Sequence, residues 1–211
     1  MADKYAKLEQ YVRSPQPTLP ESQVKYLQEE LRKLEVSLQG AYGALTSAGP
    51  YIKVPYAMLM SDQDQLSAGT TSQNLVSFNV PVVGTGVTVE NNTRIKFDNP
   101  GYYLITMRLQ FANRGNTVQE IEVWAKNSGA NYALSGTRFD IAARKSSDVW
   151  AHTTASISGI FNVQDVATDY LEMAWWSDGA DVVLETYPVG SSPARPAVPS
   201  VILTATFVSG L

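Results

Sequence analysis

The sequence contains no cysteine, and its 211 residues include a single histidine, His152. The first absence excludes disulfides, thiolate metal centres and cysteine nucleophiles together. The second excludes any site built from several imidazoles. No run of about 18 apolar residues is present, so no membrane span is expected. The N-terminus, Met1-Ala2-Asp3-Lys4-Tyr5, lacks an apolar signal core, and the expectation is assembly in a cytoplasm. Neither sign of charge dominates: 16 Lys and Arg stand against 20 Asp and Glu, for a net charge of −4. The basic residues are scattered. A nucleic-acid binder normally shows a basic stripe, so no nucleic-acid partner is expected.

What is present falls into three segments. Residues 1–20 are short and broken by proline. Tyr5, Leu8, Tyr11 and Val12 fall at helical spacing before Ser14-Pro15-Gln16-Pro17 stops the pattern. So short a helix is marginal alone. These four residues are expected to anchor a docking arm that orders against a larger partner. Residues 21–48 carry the clearest periodicity. Thr18-Leu19-Pro20-Glu21 fits a capping box. Val24, Leu27, Leu31, Leu34 and Leu38 follow at spacings of 3, 4, 3 and 4, a heptad a/d register that predicts a short coiled-coil helix. The stripe is narrow, as a seam between helices requires, and Glu21/Lys25 and Glu29/Lys33 are favourable i,i+4 pairs. Each seam residue is worth about 1.5–3 kcal/mol when buried. Ordering the helix and associating the chains cost a comparable amount. The helix is therefore expected to cooperate with the domain that follows rather than hold an oligomer alone.

Residues 51–211 change character. Short β-rich runs alternate with turn clusters, which predicts an antiparallel sandwich or barrel. The expected strands are 51–60, 73–80, 86–90, 93–98, 101–112, 118–126, 130–135, 149–163, 169–177, 182–187 and 200–208. Asn91-Asn92 reads as a tight hairpin. In 101–112, Tyr103, Ile105, Met107, Leu109 and Phe111 share one face, opposite Thr106, Arg108 and Gln110. In 169–177, Leu171, Met173 and Trp175 oppose Tyr170, Glu172, Ala174 and Trp176. Aromatics on both faces predict that both are covered, with Tyr170 and Trp176 meeting a neighbouring subunit. Glu172 on such a face needs a partner or a wet cavity.

The run Ile95-Lys96-Phe97-Asp98-Asn99-Pro100-Gly101-Tyr102-Tyr103 and the later Asp169-Tyr170-Leu171-Glu172-Met173 resemble the trimeric jelly rolls of the tumour necrosis factor and complement globular-head superfamily. Arg195-Pro196-Ala197-Val198-Pro199-Ser200-Val201-Ile202-Leu203 is similar to the terminal strand of many tailed-bacteriophage virion proteins. The resemblance implies a mostly β fold: an antiparallel jelly-roll knob over 51–211, preceded by the helix and arm, and trimeric. It implies a structural role on the virion, as a capsid decoration, cement or short head-fibre protein. The arm would bind the major capsid protein or another virion protein. The trimer interface would use Val24, Leu27, Leu31, Leu34, Leu38, Tyr170 and Trp176. The alternative is a tail-fibre or spike tip that binds a host-surface receptor or glycan, through loop residues such as Trp124 and Tyr132.

Catalytic patterns are missing. No G-x-S-x-G elbow occurs, and Gly84-Thr85-Gly86 lacks the lysine and third glycine of a phosphate loop. No enzyme activity, cofactor or metal is expected. His152 reads as structural. Asp62/Asp64 and Asp178/Asp181 come nearest to calcium ligands but fit no Ca-loop spacing, and are expected in solvated turns. Asn91-Asn92-Thr93 is read as a chance match to a glycosylation acceptor. The runs 145–148 and 190–193 read as connecting loops.

Overall fold

The computed structural model describes residues 20–47 and 54–211, with side chains of the first stretch described for 22–39. The chain divides into two compact units between Lys53 and Val54. The first contains helix α1, Pro20–Ser47. Pro20 stands at its first residue, where its missing N–H costs nothing. Among the described residues no helix is long and apolar enough to cross a membrane. In α1, Lys33 pairs with Glu30 one turn away at 2.9 Å. The i,i+4 spacing predicts Glu29 for that contact.

The second unit is all β. Its strands are β1 (Tyr56–Ser61), β2 (Gln65–Leu66), β3 (Asn74–Leu75), β4 (Val83–Thr85), β5 (Val87–Glu90), β6 (Arg94–Phe97), β7 (Gly101–Asn113) and β8 (Gln119–Asn127). There follow β9 (Ala130–Asn131), β10 (Thr137–Ile141), β11 (Ala151–Val163), β12 (Leu171–Ser177), β13 (Val182–Leu184), β14 (Gly190–Ser191), β15 (Ala194–Arg195) and β16 (Val201–Ser209). Two antiparallel sheets form. One runs β4-β1-β16-β7, with β11 on the far edge of β7 and β13-β2 beside its end; the other runs β5-β6-β12-β8-β10. The chain passes repeatedly from one sheet to the other, in the manner of a jelly roll.

The alternation in β7 has its physical cause in this layering. Tyr103, Ile105, Met107, Leu109 and Phe111 point between the sheets and are buried, while Leu104, Thr106 and Arg108 point outward. They meet Phe97, Ile121, Val123, Leu171, Met173 and Trp175 of the facing sheet and Phe161 of β11 in one core. Two aromatic groups tie the layers. Phe97 lies 4.4 Å from Tyr103 between ring centroids, and Phe111 meets Trp175 edge-on at 5.5 Å.

Gly101 opens β7 at φ +142°, and a Cβ there would stand 2.4 Å from the Ser209 carbonyl oxygen. The Pro-Gly turn before the aromatic strand therefore needs glycine for both dihedral and space. Asn91 and Asn92 both take left-handed φ, 51° and 61°, between β5 and β6. Short polar side chains tolerate this better than most.

Several expectations are corrected: 130–135 pairs only over β9, and the run 190–193, read as a loop, contributes β14, which pairs with β15. The run 73–80 pairs as a strand only over β3. Beyond it Val76 and Phe78 still enter the core, on single backbone bonds to Met173 and Asn92. Burial and alternation do not require a continuous ladder. Conversely, no strand is expected over 137–141, but β10 pairs with β8 along its length. It is an edge strand with two inward apolar residues, Phe139 and Ile141, so its periodic signal is weak. Its outward Arg138 and Asp140 are the charges edges carry to discourage further pairing.

Candidate functional site

The helix seam is uncovered. Val24, Leu27, Leu31, Leu34 and Leu38 are between 38% and 67% exposed. The arm residues Tyr5, Leu8, Tyr11 and Val12 lie outside the described residues, as does Thr18 of the capping box.

A second uncovered apolar surface lies on the outer face of the β1-β16-β7-β11 sheet. The registers place Tyr56, Thr206, Leu104 and Ile160 side by side across four strands. All four are outward, with Tyr56, Leu104 and Ile160 each at least 40% exposed. Met58 continues the patch one row along, opposite Thr204, and Tyr102 flanks it. Farther along, the face turns polar through Ser156, Ser158 and Arg108. Exposed large apolar side chains gathered on one sheet face in this way are the usual mark of an interaction surface when they form a contiguous patch.

Tyr170 and Trp176 lie with the other sheet. Both are half-buried by the chain itself. Arg94 stacks on the Tyr170 ring at 4.8 Å, and the Trp176 indole N–H donates to the Thr70 carbonyl at 2.6 Å. Their strand is covered on both faces, as its aromatics predict, and the covering groups come from this same chain: Glu172 and Ala174 are buried. Glu172 has the partner it requires, Arg94 Nε at 3.4 Å, with Lys126 opposite it in register.

The lone histidine belongs to a charged cluster. His152, on β11, accepts or donates a 2.8 Å hydrogen bond with the Tyr187 hydroxyl. Its Nδ1 stands 3.2 Å from Glu185 Oε2. Glu185 is buried, and Arg114 approaches its other oxygen at 3.8 Å while pairing with Asp64 at 2.9 Å and stacking on Trp150. Burial pushes the Tyr187 hydroxyl up to about 12, helped by the neighbouring Glu185 carboxylate. That tyrosine stays protonated.

Asp64 is exposed in the turn between β1 and β2, as expected, but its carboxylate is held from outside that turn. Burial pushes its carboxyl up, but the Thr186 N–H at 2.9 Å, the Thr186 hydroxyl at 3.1 Å and Arg114 together hold it below the usual carboxylate range. Asp62 exchanges hydrogen bonds with Asn79, and Asp178 accepts from the Glu120 N–H at 2.7 Å. These aspartates clamp loops. Among the described residues, no group of three or more His, Asp or Glu is placed to hold a metal. A depressed carboxyl stabilises the fold above its unfolded pKa near 4 and stops doing so as pH falls through its folded value. The urea midpoint is therefore expected to drop in acid below about pH 4. Asp64→Asn should lower the neutral midpoint and flatten that acid decline in a titration of midpoint against pH.

A cleft opens beside the β8-β9 hairpin. It has a volume of about 500 Å³ and is lined by Glu122, Trp124, Asn131, Tyr132, Thr137 and Arg138. The Trp124 indole N–H donates to Asn131 Oδ1 at 3.0 Å. The Tyr132 ring rests 6.3 Å from Phe161. Arg138 pairs with Glu120. The loop after Tyr132 also roofs an apolar cavity of about 280 Å³ that reaches Ile105, Met107 and Met173.

No family model matches the chain, and no curated protein matches it. Among solved structures it is similar to the crystal structure of murine APRIL. The identity is 13% and the TM-score 0.44, over 74% of this chain and 100% of that one.

Sequence reasoning missed the charged cluster and the sheet-face row. Glu185 and Tyr187 lie more than thirty residues from His152, and only the strand registers bring them together. The row had a legible trace: Leu104 and Ile160 interrupt otherwise polar outward positions on β7 and β11.

Proposed function

We propose that the chain is a structural virion protein, a trimeric capsid decoration, cement or short head-fibre protein. The carrying observation is that, among the described residues, two apolar surfaces are exposed, the heptad seam of α1 and the Tyr56–Leu104–Ile160 row. A heptad seam is self-complementary, because its knobs fit the holes of an identical helix. The occupant it calls for is another copy. Tyr170 and Trp176 would contribute the knob's part of the trimer interface from one sheet, and the Tyr56–Leu104–Ile160 row would add a second contact from the opposite sheet.

The virion assignment is supported by the order of parts, arm then helix then knob, and by the likeness of Arg195–Leu203 to phage virion strands. The arm residues Tyr5, Leu8, Tyr11 and Val12 would grip the major capsid protein or another virion protein. Three arms on one trimer turn a weak contact into a tight one, because the second and third bind at high effective concentration. Binding only the assembled shell then stabilises that shell by linkage. A second reading, a tail-fibre or spike tip, is favoured by the aromatic cleft alone.

Deleting residues 1–17 is the test. The truncated protein should keep its oligomeric mass and melting temperature yet fail to co-sediment with particles that lack this protein, whereas the full chain binds them. Undiminished co-sedimentation of the truncated chain would overturn the docking role of the arm.

A further inference from the structure

We infer that the Trp124–Tyr132 cleft is a binding site for a neutral sugar ring. The inference requires neither a trimer nor a virion, and stands on the geometry of one sheet edge. Two aromatic rings from adjacent elements line one concavity, with Glu122, Asn131, Thr137 and Arg138 around them. Its size falls within the usual range for small-molecule sites, roughly 300–1,000 Å³.

Both rings are held in place before any ligand arrives. The hydrogen bond from the Trp124 indole to Asn131 fixes the orientation of that ring across the hairpin. Tyr132 is braced against Phe161 of the core and remains 40% exposed. Rigid aromatic platforms bind with little loss of conformational entropy. Trp124 sits in the middle of a regular strand, between the buried Val123 and the half-buried Ala125, so its position is set by the sheet register.

The rim decides the ligand class. Glu122 offers acceptors and makes no ion pair among the described residues. Arg138 is already neutralised by Glu120, and bonding of Asn131 Oδ1 to Trp124 leaves the amide nitrogen as a donor. The local charge is therefore slightly negative. Phosphate-bearing ligands are disfavoured, since they need cationic partners. A purely aliphatic chain is disfavoured too, because it would strip water from Glu122 and Arg138 without replacing their hydrogen bonds. A pyranose meets both demands. Its C–H faces pack on the two rings, and its hydroxyls donate to Glu122 and accept from Asn131, Thr137 and Arg138.

A single ring held by so few groups is expected to bind with a dissociation constant on the order of 1 mM. The test is saturation-transfer NMR on the full chain with three probes: methyl galactoside, methyl glucoside and N-acetylglucosamine. At least one should receive saturation at its ring protons, and the tryptophan fluorescence should titrate with that sugar. Trp124→Ala and Tyr132→Ala should each weaken binding at least tenfold while leaving the far-UV spectrum and melting temperature near wild type. Trp150→Ala, at a residue that stacks with Arg114 and does not line this cleft, should leave the affinity unchanged. Absence of transfer to all three probes would overturn the inference. So would transfer that persists in both Trp124→Ala and Tyr132→Ala, which would put the sugar elsewhere. If one variant fails to fold, the other decides.

Discussion

Replacing Trp175 with alanine is expected to lower the stability of the knob by about 3–5 kcal/mol, the usual cost of deleting a large buried aromatic. The ring is completely buried on β12 and packs edge-on against Phe111 of the opposite sheet. Phe111 in turn meets Phe139 of β10 at 5.7 Å, so the indole joins three strands from two layers. For a domain of this size each kcal/mol moves the melting temperature by roughly 2–4 °C. The drop should therefore reach about 6–20 °C. Trp175→Phe should cost much less. It retains the aromatic contact and removes an indole N–H that has no hydrogen-bond partner within the core. Thermal melts followed by near-UV circular dichroism measure both. A shift of a degree or two for the alanine variant would contradict the packing described.

The second large effect concerns assembly. Leu31→Asp together with Leu34→Asp places two carboxylates in the middle of the α1 seam. Both positions are exposed in the single chain, so the isolated helix loses little. In an assembled seam each carboxylate would be buried beside its counterparts, and like charges that close cannot all remain ionised. The double variant should dissociate at micromolar concentration, or show a self-association constant weakened by two or more powers of ten. The knob should melt as before, since Val54–Leu211 forms its own compact unit. Light scattering after size exclusion reads the mass, and a mass identical to wild type across a dilution series would remove the helix from the contact.

The long alternating strands were legible because each buries a single face. In β7, five apolar residues at every second position leave one orientation that keeps them dry. In β12 the aromatics on both faces signalled coverage by a neighbouring subunit; the groups that meet Tyr170 and Trp176 here, Arg94 and the Thr70 carbonyl, are this chain's own, and Glu172 finds the partner it needs in Arg94. Two kinds of feature were not legible. Edge strands such as β10 bury too few residues to impose a period. Clusters such as His152–Glu185–Tyr187 arise from registers between strands, and spacing along the chain carries no trace of them. Asp64 shows the same limit from the other side. Its local sequence, Ser61-Asp62-Gln63-Asp64, reads as a solvated turn, but Arg114 and Thr186 arrive from elsewhere in the sequence and hold the carboxylate.

The cleft stands between these cases. Trp124 and Tyr132 could be singled out as aromatic loop-side residues, but Glu122 and Arg138 join them only through the β8–β10 register, in which they are opposite one another. The helix seam, in contrast, is a property of the sequence alone, and its exposure in the single chain is what gives it meaning.

Sedimentation equilibrium of the full chain, from low micromolar upward, reads the assembly itself. One species at three times the 23.0 kDa chain mass is expected. A species that stays at the mass of one chain over the whole range would contradict it.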